Sequence, residues 1–433
     1  MKQKQITILL RLLLLLGCAT HSSGQTPGAA AGDLVRRALQ ANRELAAVRL
    51  DLERGRARLR QSGLRPNPTL DIEQTTGRLT GSPGERDLSL GVALPIEIGA
   101  QRRRRIDVAE AELAVTEAEV ADRERRVIRD VLVAYADALG ARRELQITNQ
   151  VHDLDMQTAE VVRTRVSQGD APSLELNLLL TEVSRLQSRR ALVEGRLEAA
   201  LVTLRNLIGI PLNEPFAVGE ELAPQMIGTV HTPGTLEEAI NIALQQRPDL
   251  RLARLNEVAA EAGLRLARAQ AYPGLTVSAK FIDSRAINDL PAPLVPVPDA
   301  DRVLAFGASI ALPFFNVNQG GRAEAAVAIR QADTRREFTE QLVRSQVASA
   351  FRRVEAARTA VAIFEQGVID RSADNVRIVR AAYELGEFRI TDLITEQRRL
   401  LDSQREYTDA LLEGYRALAD LHAAMGIVIG AQP

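Results

Sequence analysis

Apolar and polar residues alternate in four short stretches of the chain and recur at spacings of three and four almost everywhere else. Leu70-Asp71-Ile72-Glu73 alternates, and Leu88, Leu90, Val92 and Leu94 alternate with Ser89, Gly91 and Ala93. A period of two predicts strands with one apolar face. Between them Thr75 to Arg86 is rich in Gly, Ser, Thr and Pro, so the two strands read as a hairpin. A second hairpin is expected from Leu275, Val277, Ala279 and Phe281 and from Leu304, Phe306, Ala308 and Ile310. Its loop should run from Asp283 to Arg302 and carries Pro291, Pro293, Pro296 and Pro298.

The remaining pattern is helical. No proline falls between Gln101 and Gln168, and only Gly140 interrupts a run that would measure on the order of 100 Å as a helix. Gly169 and Pro172 mark a turn, and a return helix is expected through Leu176, Leu180, Val183, Leu186 and Leu197 to Gly209. The second half should repeat the plan. Gly320-Gly321 opens a long helix, Leu385-Gly386 turns it, and Leu393, Leu400 and Leu411 lead back to Gly426. Apolar residues at these spacings make amphipathic helices that need lateral partners. Arg102 to Arg105 sits where strand becomes helix and reads as a solvated or lipid-headgroup-facing cluster.

The two halves are copies. Leu39, Gln40, Leu45, Arg49, Leu50, Leu59, Arg60, Pro68 and Leu70 return as Leu244, Gln245, Leu250, Arg254, Leu255, Leu264, Arg265, Pro273 and Leu275, at a separation of roughly 205 positions. Ala93-Leu94-Pro95 returns as Ala311-Leu312-Pro313, Gly169-Asp170 as Gly386-Glu387, and Gly209-Ile210 as Gly426-Ile427. The expected organisation is a signal peptide over 1–17, a flexible segment over 18–32, repeat one over 33–210, a linker over 211–234 and repeat two over 235–433.

Composition agrees with long helices. Charged residues make up 26% of the 433, aromatics only 3%, Trp is absent and the net charge is -1. A chain so nearly neutral lacks the basic footprint of a nucleic-acid binder. Lys2 and Lys4 precede an apolar run from Ile6 to Leu16 that is too short to span a bilayer and fits a secretory signal. Leu15-Leu16-Gly17-Cys18 resembles a bacterial lipobox, and Cys18 is the only cysteine, so acylation there is one expectation. Ordinary cleavage near Ser23-Gly24 is the other. With no other apolar segment of membrane-spanning length, any crossing must be made by strands. Four strands leave two open edges in hydrocarbon, so the chain should oligomerise, and three copies would supply twelve strands.

At this point the residues resemble the outer-membrane efflux proteins, the TolC-like channel family, over nearly the whole mature length. The carriers are Gln246-Arg247-Pro248-Asp249-Leu250 in the lead-in helix of repeat two, Ala311-Leu312-Pro313-Phe314-Phe315, Gln319-Gly320-Gly321-Arg322, Tyr383-Glu384-Leu385-Gly386 and Ala424-Met425-Gly426. The resemblance implies an α+β fold: a duplicated helix-hairpin and β-hairpin protomer that trimerises into a 12-stranded transmembrane β-barrel continued by a long α-helical barrel. It also implies a homotrimer in outer-membrane lipid that docks a periplasmic adaptor at the turns Gly169, Asp170, Gly386 and Glu387. The adaptor is in turn fed by an inner-membrane pump of the resistance-nodulation-division type. Within the family the chain looks closest, by general likeness, to the branch serving heavy-metal cation pumps. By the same resemblance the periplasmic gate lies just beyond the turns, at Glu175 and Asp392. Glu396 follows Asp392 by one helical turn, and Thr395 stands where some members carry a second acid. Carboxylate rings there would attract cations; solvated helix residues are the alternative reading of the same acids.

Other chemistry is scarce. His21, His152, His231 and His422 have no metal-ligand spacing, and no phosphate-binding glycine loop occurs. No cofactor, metal or enzymatic activity is expected. Two functions stay open on residues alone: a passive efflux duct, and an exported coiled-coil scaffold or adhesin without a conduction path.

Overall fold

The computed structural model describes residues 30–80, 84–224, 233–288 and 297–427. Cys18, the signal segment and most of the 18–32 segment lie outside these residues. Repeat one comprises α1 (Ala31–Ala41), α2 (Arg43–Ser62), β1 (Thr69–Thr76), β2 (Arg86–Glu97), α3 (Gln101–Gln168) and α4 (Ser173–Ile208). Repeat two comprises α5 (Leu236–Gln246), α6 (Pro248–Ala269), β3 (Gly274–Asn288), β4 (Val297–Ile310), α7 (Gln319–Ile363), a π turn (Phe364–Val368), α8 (Ile369–Glu384) and α9 (Ile390–Met425). The duplication read in the sequence is thus a duplication of elements.

Three expectations need correction. The lead-in helix of repeat two is two helices, and repeat one breaks at the matching place, because Arg247 and Asn42 leave helical geometry at ψ 123° and 118°. Pro248 disfavours the helical conformation of Arg247, while Asn42 caps α2 by accepting from the Leu45 amide at 2.9 Å. The second hairpin is longer than expected: Asp283 and Arg302 are paired within it, and the register continues to Asn288 opposite Val297. Pro298 therefore lies in β4, an edge strand, where a missing amide is tolerated. Finally, the long helix of repeat two does not copy α3. It changes hydrogen-bond register at the π turn around Gly367, whereas α3 runs unbroken for 68 residues, about 100 Å.

The strands and long helices form a wall, with the short helices α1 and α5 packed against it. The four strands make one antiparallel sheet in the order β1-β2-β3-β4. The helices joined to them pack in the same order, α2 on α3, α3 on α6 and α6 on α7. Further from the sheet α4 packs on α3, α9 lies between α3 and α7, and α8 packs on α9. Arg102 ties the start of α3 to the end of α2 through the Gly63 carbonyl at 2.6 Å, and Arg105 reaches Glu97 at the end of β2. The arginine cluster thus braces the strand-to-helix joint.

The thickest packing is at mid-height. Leu34, Val35 and Ala38 of α1 meet Val131, Tyr135 and Leu139 of α3, Leu204 and Ile208 of α4 and Leu411 of α9. Ala239 and Ala243 of α5 meet Val343, Val347 and Phe351 of α7 and Leu421 and Met425 of α9. The expected linker joins this core through Val218 and Leu222. Repeat positions make matching contacts: Arg49 donates to the Leu39 carbonyl at 2.7 Å and Arg254 to that of Leu244 at 3.4 Å.

Gly209 and Gly426 end α4 and α9 at φ 70° and 77°, pressed against the breaks after α1 and α5. A Cβ at Gly209 would stand 2.7 Å from the Ala41 carbonyl oxygen, and one at Gly426 would stand 3.0 Å from Gln246 backbone. Left-handed strain plus overpacking should make Gly209→Ala cost roughly 2–4 kcal/mol. Gly169→Ala has the strain (φ 83°) but open space, so it should cost only about 1–2 kcal/mol. Heat-dissociation curves of the two variants test this, and equal losses would refute the packing contribution.

Candidate functional site

Two surfaces are candidates: the sheet and the helical tip. Directly opposed residues of an antiparallel pair share a face, and the register stacks the apolar ones. One row is Ile72, Leu90, Phe281 and Leu304; the next is Leu70, Val92, Ala279 and Phe306; then Leu94, Val277 and Ala308; then Ile96, Leu275 and Ile310. Most of their large side chains are exposed, Phe306 at 77%. The opposite face carries Asp71, Glu73, Ser89, Gly91, Ala93, Ser278, Lys280 and Gly307. From Ile96 to Leu88 the apolar band spans eight residue steps, about 27 Å along the strand and somewhat over 20 Å once tilted. Such a sheet is built to separate hydrocarbon from water. Among the described residues no helix is long and apolar enough to cross a membrane.

At the far end of the wall both turns close identically. Gly169 and Gly386 adopt φ 83° and 79°; Asp170 donates to the Arg165 carbonyl and Glu387 to that of Ala382, each at 2.9 Å. All four turn residues are exposed, as are the neighbouring Leu174, Leu385 and Phe388. The predicted gate acids lie close by, with different partners. Glu175, half-buried, accepts from the Tyr383 hydroxyl at 3.1 Å, linking α4 to α8. Burial, then the Glu175 charge, pushes the Tyr383 hydroxyl up to about 12, and Arg165 stacks 5.6 Å from its ring. Asp392 is exposed and accepts from the Arg389 amide at 3.0 Å, closing the first turn of α9. Glu396 is half-buried and pairs with Arg399 on the same helix. The structure gathers these acids in one region, while Asp392 also caps its own helix.

Just above sits a polar cluster that sequence reasoning missed. Asp155 of α3, Glu182 of α4 and Gln397 of α9 are all buried. Arg398 donates to Glu182 Oε2 through Nε at 3.1 Å, and Arg185 lies 3.5 Å from the same carboxylate. Gln397 lies beside Asp155, and Asp155 Oδ1 and Gln397 Oε1 have no hydrogen-bond partner. Burial, and then the Glu182 charge, raises the Asp155 carboxyl to about 6. A signal was present: each residue interrupts an apolar stripe, Val151-Asp155-Thr158-Val162, Leu179-Glu182-Leu186 and Leu393-Gln397-Leu401. No group of acids, histidines and cysteines among the described residues could hold a metal ion.

A wall with a lipid-facing sheet, a hundred-ångström helix and a polar tip is the shape of one sector of a tube. The family model of the outer membrane efflux protein matches residues 34–210 and 239–427. The chain belongs to that family. It is 24% identical to the cobalt-zinc-cadmium resistance protein CzcC of Cupriavidus metallidurans, over 89% of this chain and 87% of CzcC. It is 25% identical to the outer membrane protein OprJ of Pseudomonas aeruginosa, over 91% and 83%. Among solved structures, CusC superposes with a TM-score of 0.77 at 20% identity, covering 92% of each chain. The outer membrane protein VceC of Vibrio cholerae gives 0.71 at 18%, covering 92% of this chain and 96% of VceC. This efflux protein thus shares the α+β fold of these proteins and works in the outer membrane. The scaffold or adhesin reading falls.

Proposed function

We propose that three copies of this efflux protein close into the exit duct of a tripartite system. In this reading a periplasmic adaptor docks at the turns of Gly169-Asp170 and Gly386-Glu387, and a resistance-nodulation-division pump delivers the cargo. One observation carries the reading: the sheet and the helices joined to it end in two unpartnered edges. β1 with α2 forms one flank and β4 with α7 the other. Strand edges left open in hydrocarbon are prohibitive, and joining flank to flank around a three-fold axis closes sheet and helices together. Cross-linking in native membranes should stop at three chains; a predominant monomer or dimer would refute the closure.

Heavy-metal cations are the cargo that the likeness to CzcC favours, and carboxylates at the tip suit cations. Glu175, Asp392 and Glu396 are assigned to the mouth of the duct. Asp392→Asn with Glu175→Gln should reduce cation selectivity and block by trivalent cations in planar bilayers, and unchanged values would remove them from the mouth. A deletion strain should become sensitive to divalent metals, with sensitivity to organic drugs alone pointing to other cargo. Cys18 is assigned as an acylated N-terminus that tethers the chain beside the barrel; a mature mass beginning after Cys18 rules this out.

A further inference from the structure

The apolar face of the sheet ends abruptly at the end remote from the helices. Beyond the row of Ile72, Leu90, Phe281 and Leu304, the next row on the same face is Gln74, Leu88, Asp283 and Arg302. The row after it is Thr76, Arg86, Arg285 and Ala300. Three arginines thus stand within two rows of the hydrocarbon band. The helices extend into the periplasm, so this is the cell-surface rim of the barrel. Two residue steps beyond Leu88 is about 7 Å along the strand, the depth at which a lipid headgroup replaces acyl chain.

Arg86 and Arg285 are directly opposed across β2 and β3. Like charges at opposed positions destabilise a sheet, and both side chains are exposed. Arg302 pairs with Asp283 at 3.1 Å, whereas no carboxylate among the described residues lies within ion-pairing distance of Arg86 or Arg285. A neighbouring protomer cannot supply one easily, because β2 and β3 are the two central strands and each is screened from the next chain by an edge strand. Two adjacent guanidinium forks without a protein anion match the oxygens of a phosphate.

We propose that Arg86 and Arg285, with Arg302 beside them, bind the phosphate groups of a phosphorylated outer-leaflet glycolipid, the lipid A headgroup. Each protomer then carries one such site on its outer wall. The acyl chains lie along the apolar rows below, and the phosphate neutralises the opposed arginines. The site rests on the reading of the sheet as a membrane barrel. If the barrel reading failed, trimer cross-linking would fail too; if only this site failed, trimer and conductance would be intact.

The test uses the purified trimer in detergent and native mass spectrometry, with bis-phosphorylated lipid A, enzymatically dephosphorylated lipid A and inorganic phosphate as probes. The wild-type trimer should retain the phosphorylated lipid at least about tenfold better than the dephosphorylated one, as charge-assisted bonds imply. Arg86→Gln with Arg285→Gln should bring retention down to the dephosphorylated level while trimer and conductance persist, and the paired Lys variants should recover most of it. Equal retention of both lipids by the wild type overturns the proposal, and this arm stands even if the variants fail to assemble. Undiminished retention by the double Gln variant overturns it as well. Release of the lipid by millimolar inorganic phosphate would show a site for the free anion and not for the lipid.

Discussion

Arg398→Ala combined with Tyr383→Phe should loosen the helical tip and raise the conductance of the channel in planar bilayers. Both side chains belong to repeat two, and both hold acids on α4 of repeat one, Glu182 and Glu175. The side chain of Glu182 is only 5% exposed, so removing its interhelical partner leaves a buried charge with Arg185 alone. Loss of one partner from a buried pair costs up to 3–5 kcal/mol; with Arg398 half-exposed and Arg185 remaining, about 2 kcal/mol is the better figure. The lost Tyr383 hydrogen bond adds roughly 1 kcal/mol. Together that is a shift of about a hundredfold between joined and parted helices. Arg163→Ala is the control, because it breaks an exposed pair within α3 only and should leave conductance unchanged. If the double variant conducts like the wild type, these contacts do not govern the mouth.

Much of this architecture was legible because its rules are local. The span of α3 was readable to the residue from the absence of proline and the glycine that follows it, and strand parity was readable from alternation alone. The break at Arg247 was also readable, since Pro248 bars helical geometry before it. Through the repeat it would have revealed the less obvious break at Asn42. The π turn was less accessible: Gly367 is a weak mark in an otherwise helical pattern. The tip was legible only in outline. Glu175 and Asp392 could be placed near the turns by sequence position, but the Tyr383 hydroxyl on Glu175 depends on how α8 meets α4, which no local pattern encodes. The cluster of Asp155, Glu182 and Gln397 left three separate flaws in three apolar stripes. That the flaws meet is a fact of tertiary packing.

Asp155→Asn should stabilise the channel near neutrality and do nothing in acid. Asp155 faces Glu182 from α4, Gln397 and Arg398 from α9, Arg380 from α8 and His152 on its own helix. Burial and Glu182 outweigh the favourable contacts, so its carboxyl titrates at about 6, against 3.8 for an ordinary one. Between those values the folded chain holds a proton that the unfolded chain has released. Stability from this group is therefore complete below about pH 3.8 and is lost as pH rises through about 6. Two pH units correspond to about 3 kcal/mol per protomer as an upper figure. The protonated carboxyl also supplies the donor that Gln397 Oε1 lacks, and the side-chain amide introduced by Asp155→Asn supplies it at every pH. The variant should raise the heat-dissociation temperature of the trimer at pH 7.5 and match the wild type near pH 4. A gain of equal size at both values would mean that packing, not charge, is responsible. A loss at pH 7.5 would mean that the ionised carboxylate has a cationic partner. Because Asp155 joins α3 to α9 just above the turns, the same proton should tighten the tip: wild-type conductance should fall between pH 7.5 and 5, and that of the Asp155→Asn variant should already be low at pH 7.5.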